Sequence, residues 1–147
     1  MKLRYLIALF LIAAIGLVVM IEQWRSSRQA QLDQAAAQQD QAVAEWPGIE
    51  ENCAAAVAAS DTMEQEFRAT HSFVRWERFL PAKDEFDARM RTAGEAATHL
   101  YRENPVFASA VREALPDLRV GPNDRLNPCQ PKLRRLLTSR FSKPRPK

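Results

Sequence analysis

Cys53 and Cys129 are the residues whose chemistry depends most on where the chain folds. They are the only cysteines and lie 76 positions apart. A bond between them would close a loop for which the chain-entropy model assigns about 4–5 kcal/mol of stabilisation. Such clamps belong to oxidising compartments, the bacterial periplasm among them. The bland alternative is a pair of unrelated buried thiols, because free cysteine is among the most buried residue types. The surroundings favour the bond. Cys53 stands on the apolar face of a helical stretch, and Cys129 stands in a proline-rich strap with too few apolar residues to hold itself down.

The remaining chemistry-bearing residues do not form a recognisable constellation. His71 and His99 have no metal-ligand spacing with either cysteine, so neither a metal nor any other cofactor is expected. Neither histidine is preceded or followed by a nucleophile and an orienting acid at a known interval, and no enzymatic activity is expected. Asp84, Glu85 and Asp87, with Arg89 and Arg91, lack calcium-loop spacing and read as the charged start of a helix. The segment Arg75-Trp76-Glu77-Arg78-Phe79 interleaves aromatics with arginines, yet Phe73, Trp76 and Leu80 repeat at helical spacing, which favours core packing. Trp76 is the interface candidate if any of these rings is exposed.

Charge singles out the C-terminus. The formal net charge is +3, but all eighteen acidic residues lie at or before Asp124. The last seventeen residues hold Lys132, Arg134, Arg135, Arg140, Lys143, Arg145 and Lys147 with no acid. The pI of 9.1 therefore describes a tail, and nucleic acid is not the expected partner. Pro131 to Phe141 sets Leu133, Leu136, Leu137 and Phe141 against those cations, a basic amphipathic helix. Arg134, Arg135, Arg140, Lys143, Arg145 and Lys147 are candidates for contact with anionic lipid, an acidic polymer or an acidic partner protein. Docking of the leucine face on the rest of the domain is the competing role, and the one favoured here.

The elements that would position these residues are helical. Glycine occurs only four times and no alternating β-branched run is present, so the chain is expected to be all-α. Tyr5 to Ile21 is seventeen residues without a charge, flanked by Lys2 and Arg4 on one side and Trp24 and Arg25 on the other. As a helix it would span roughly 26 Å, close to the ~30 Å hydrocarbon core. A cleaved signal peptide would need the small-residue triplet Ala14-Ile15-Gly16, and cutting there would leave a terminus still inside the apolar run. A retained single-pass transmembrane anchor is expected, with residues 1–4 cytoplasmic. The flanking charges favour that orientation only weakly, and the cysteines add to it.

Residues 22–47 contain seven glutamines among good helix formers and read as a polar helical stalk, ending where Pro47 and Gly48 break the pattern. Residues 48–141 then read as a periplasmic bundle of three to four helices. The first carries a stripe of Ile49, Cys53, Val57, Ser60, Met63 and Phe67. It runs to about Thr70, with a continuation to Leu80 after a bend also open, and Pro81 is expected to begin the next helix. That helix carries Phe86, Met90, Ala93, Ala97, Leu100 and Tyr101, and Gly94 with its alanines offers a surface for close helix packing. Asn104-Pro105 is a cap followed by proline at the first helical position, opening a short helix that Pro116 stops. A strap over residues 116–131 leads to the basic helix, and residues 142–147 are expected to be a disordered tail.

This organisation implies an inner-membrane protein whose helical domain serves as a structural or interaction subunit of an envelope complex, with an envelope protein as partner. An immunity protein or inhibitor of a periplasmic toxin or hydrolase has the same parts. The plan of residues 1–45 is also similar to inner-membrane spanins of phage lysis. Pro81, Pro105 and Pro116 interrupt the long coiled coil that this resemblance implies, and it carries no site residues.

Overall fold

The computed structural model describes the backbone of residues 2–69 and 76–142, and the side chains of residues 14–68 and 79–142. Helices α1 (Lys2–Ala69), α2 (Trp76–Glu103), α3 (Pro105–Ala114) and α4 (Pro131–Phe141) account for most of these residues, and no strand occurs among them. The chain divides into two units, Met1–Ala37 and Gln38–Lys147.

The described residues of the first unit are helix throughout. Every described side chain from residue 14 to residue 37 is exposed. Trp24 carries the Arg28 guanidinium 4.3 Å above its ring centroid, and Gln29 donates a hydrogen bond to Asp33 one turn on. Among the described residues no helix is long and apolar enough to cross a membrane. Of the expected anchor, Tyr5 to Ile21, residues 5–13 lie outside the described side chains.

The second unit begins inside α1, ahead of the expected break. The helix runs straight through Pro47 and Gly48, and Trp46, read from sequence as the end of the stalk, is fully buried. Magnitudes explain the difference. A helix-interior proline costs about 3 kcal/mol, whereas burying a tryptophan, some 150–250 Å² at roughly 25 cal/mol/Å², returns about 4–6 kcal/mol. Pro47 and Gly48 are both exposed, so the proline ring itself takes up no space in the core.

The buried seam of α1 is Ala42, Trp46, Ile49, Cys53, Ala56 and Ala59, spaced by intervals of three and four. Only Ile49 and Cys53 of the expected stripe belong to it. Val57 is 44% exposed and Phe67 70% exposed, because the seam continues through alanines and not through the larger side chains one position on. The stripe of α2 does follow the expected positions, with Ala93, Ala97 and Leu100 buried and Phe86, Met90 and Tyr101 half-buried. That helix starts at Trp76, however, and Pro81 lies inside it. Only about one turn precedes Pro81, and the proline is exposed, so a single backbone donor is lost where water can replace it.

Asn104 caps α3 as expected: its Oδ1 accepts the Phe107 backbone N–H at 2.9 Å, and Pro105 takes the first helical position. The same side chain is fully buried, and its Nδ2 donates to the Gln38 carbonyl at 2.7 Å and to Gln41 Oε1 at 3.3 Å. One residue thus ends α2, starts α3 and ties both to α1. Around it lies the core, where Trp46, Phe107 and Phe141 stack as tilted rings with centroids 6.3 and 5.6 Å apart. Leu100, Val111, Leu133 and Leu137 complete it, all at 0% exposure. Trp46 Nε1 is buried without a hydrogen-bond partner, a cost of about 1–3 kcal/mol that the ring packing offsets.

The strap packs on α2, in the place where a further helix was expected. The Leu126 N–H donates to Thr98 Oγ1 at 2.8 Å, and that hydroxyl donates to the Gly94 carbonyl at 2.6 Å. A methyl group at Gly94 would stand 3.2 Å from the Leu126 carbonyl oxygen. Glycine at 94 lets the strap backbone approach this face closely, while the Leu126 side chain is buried in the core with Ala93 and Ala97.

Candidate functional site

The seam of α1 carries Cys53 into the interior, and the Pro128–Gln130 turn brings Cys129 to it. The two stand at disulfide distance, with Cα atoms 5.1 Å apart, and no other cysteine is present. The Cys129 N–H donates to Asn127 Oδ1 at 3.1 Å, a local turn that sets the strap before Pro131 opens α4. The clamp therefore fixes the start of α4 against the C-terminal third of α1.

From there α4 lays Leu133, Leu137 and Phe141 into the core. The leucine face is docked, and the basic amphipathic helix has no apolar side left to offer a membrane. Its cations divide into two groups. Arg140 pairs with Glu113, and its carbonyl accepts from Gln39 at 3.4 Å. Arg134 lies 3.9 Å from Glu50, whose Oε1 also accepts the Thr138 hydroxyl at 3.0 Å. Lys132 and Arg135 are exposed one turn apart on the outer face.

Two clefts meet beside the clamp. One of about 570 Å³ lies between α1 and α4, over Val57 and Cys129, with Arg134, Arg135 and Thr138 on its wall. The other, about 290 Å³, shares Val57, Cys129 and Pro131 with it and continues to Phe86 and Met90 of α2. Together they form an open trough with an apolar floor and a charged lip. A third cleft of about 440 Å³ between α2 and the strap is polar. Its charges are mutually engaged: His99 lies 3.3 Å from Glu103, Arg125 lies 3.1 Å from Glu95, and Arg102 donates to the Gly121 and Pro122 carbonyls.

Of the residues singled out by sequence, Cys53 and Cys129 come together, and Arg134 and Arg135 share the trough wall. Arg140 is held in an intramolecular pair. The side chains of His71, Trp76, Lys143, Arg145 and Lys147 lie outside the described residues. The acidic start around Asp84 resolves into exposed helix pairs, Lys83 with Asp87 and Arg89 with Glu85. Hydrogen bonds to those carboxylates push Lys83 and Arg89 above their ordinary values. Among the described residues no group of three or more His, Cys, Asp or Glu side chains is placed to hold a metal ion. Glu50, Val57, Phe86, Met90 and Thr138 of the trough were not legible as a set, because they come from three segments whose only common signal is their position in the fold. Comparison with protein-family models, with curated proteins and with solved structures gives no match.

Proposed function

We propose that the chain is a membrane-anchored interaction subunit. Residues 5–21 are the anchor, the N-terminus is cytoplasmic, and the bundle stands in the periplasm, where it contacts another envelope protein. The observation that carries the membrane reading is the exposure of Ile15, Leu17, Val18, Val19, Met20 and Ile21, between 44% and 70% each. These residues occupy every side of the helix. A helix apolar all round has no face suited to water, and lipid is the environment that satisfies it. The Cys53–Cys129 pair supports the oxidising side for the bundle.

Contact of the basic end with anionic lipid or polymer belongs to the same proposal. With Leu133, Leu137 and Phe141 buried, that contact runs through charge alone, from Lys132, Arg135, Lys143, Arg145 and Lys147. Its strength should fall steeply between low and physiological salt. The decisive experiment fuses alkaline phosphatase or a cytoplasm-active reporter after Lys147, with carbonate extraction of the membranes. Phosphatase activity and retention in the extracted pellet are expected. A cytoplasmic signal, or release by carbonate, overturns the anchor and its orientation.

A further inference from the structure

We propose that Cys129 is the exchange site of the clamp: an external thiol or disulfide reacts at its sulfur, and Cys53 is the buried resolving partner. The two ends of the bond differ in access. Cys53 is fully buried in the seam of α1, whereas Cys129 is half-buried. Cys129 lines both clefts of the trough, and Cys53 lines neither. Exchange proceeds by attack of a thiolate on one sulfur of the bond, so the rate depends on which sulfur a nucleophile can reach. The clefts offer that approach at Cys129, and the apolar core to which Cys53 belongs closes it at the other end.

The strap presents Cys129 without help from the bond. Leu126 and Pro128 before it and Leu133 after it are buried, and the Leu126 N–H is tied to Thr98. With Cα atoms 5.1 Å apart, the docked strap keeps the two sulfurs within reach of each other. Oxidation then takes two steps. The Cys129 thiol, deprotonated in water, attacks the disulfide of a dithiol oxidant. A Cys129–oxidant bond forms, the oxidant's own S–S bond breaks, and its second sulfur leaves as a thiolate that water protonates. Cys53 then attacks the Cys129 sulfur, the mixed bond breaks, and the Cys53 proton ends on the departing sulfur. Two protein thiols become one disulfide, and the oxidant is reduced to a dithiol. Reduction runs the same path backwards. A thiolate attacking Cys129 must expel Cys53 as a thiolate inside an apolar core, where burial disfavours the charge. The clamp is therefore slow to open while the bundle is folded.

The test uses the full chain in detergent micelles, reduced in urea and returned to buffer with its thiols free. A brief pulse of N-ethylmaleimide, below saturation, is followed by peptide mapping. Cys129 should be labelled at least about tenfold faster than Cys53 in buffer, and the two should label comparably in urea. Comparable labelling in buffer, or Cys53 first, overturns the proposal, whether because the core admits the reagent or because the strap does not dock without the bond. Val57, exposed and shared by both clefts, supplies the second arm. Val57→Trp should slow the labelling of Cys129 about fivefold, with Cys53 still protected, because the larger ring covers the approach. An unchanged rate at Cys129, or loss of the protection of Cys53, overturns the route through the trough. Labelling is read on the purified chain, so its outcome is separate from that of the reporter fusions.

Discussion

Residues 14–37 and residues 38–59 of α1 are continuous helix with similar alanine and glutamine content, yet their surroundings differ completely. In the first stretch every side chain is exposed, including Leu17, Ile21 and Leu32. In the second, six residues are buried, three of them alanines. Ala35 and Ala36 are open to solvent while Ala42, Ala56 and Ala59 are not. Burial along this helix is therefore a property of what packs on it and not of the residue type. The helix supplies only the 3.6-residue repeat that keeps Ala42, Trp46, Ile49 and Cys53 in one line.

If the second stretch owes its stability to α4 and the strap, the largest effect should come from removing the ring that α4 inserts. Phe141→Ala is expected to destabilise the bundle by about 3–5 kcal/mol, read from urea unfolding of the full chain in detergent, because Phe141 is fully buried against Phe107. A loss under about 1 kcal/mol would show that α4 is peripheral. Opening the clamp comes next. Cys53→Ser with Cys129→Ser should cost about 2–4 kcal/mol, and the intact protein should show no thiol accessible to a gel-shift reagent after denaturation.

Pro47→Ala should act in the opposite direction. It restores a backbone donor to a helix that already runs through this position, and a gain of about 1–3 kcal/mol is expected in the same unfolding experiment. A loss would mean that the proline shapes the path of α1 to the benefit of Trp46. The smallest effect belongs to the first stretch: Leu32, at 63% exposure, should change to Ala with less than about 0.5 kcal/mol on the bundle transition. A larger change would show that residues 14–37 do take part in the folded unit.

Local signals were legible where one residue type has one physical use. Asn104-Pro105 is a cap because an amide acceptor and a ring lacking N–H suit those two positions, and the structure has both. The leucines of Pro131–Phe141 declared a buried face, which is what they form. The prolines at 47 and 81 misled, since their local cost is set against burial that only neighbouring elements create. The drift from Val57 and Phe67 to Ala56 and Ala59 has the same origin: periodicity weighted by side-chain size follows the larger residues, whereas packing followed the methyl groups. Of the trough, Cys129, Arg134 and Arg135 were legible as candidate site residues, and Val57, Phe86 and Met90 only as positions on helix stripes.

By itself the sequence determined the helical class, the apolar run of residues 5–21, the cap at Asn104, the pairing available to its only two cysteines and the segregation of positive charge at the end. These follow from propensity, spacing and composition, which act over a few residues at a time or, for the cysteines, by elimination. Tertiary structure alone decided that the compact unit begins at Gln38, that Trp46 is core, that the strap lies on Gly94, and that Arg134 and Arg140 are engaged while Arg135 is not. Each of these depends on contacts between residues about thirty to a hundred positions apart. Their free energy can outweigh a local preference, but no local pattern encodes which partners will meet.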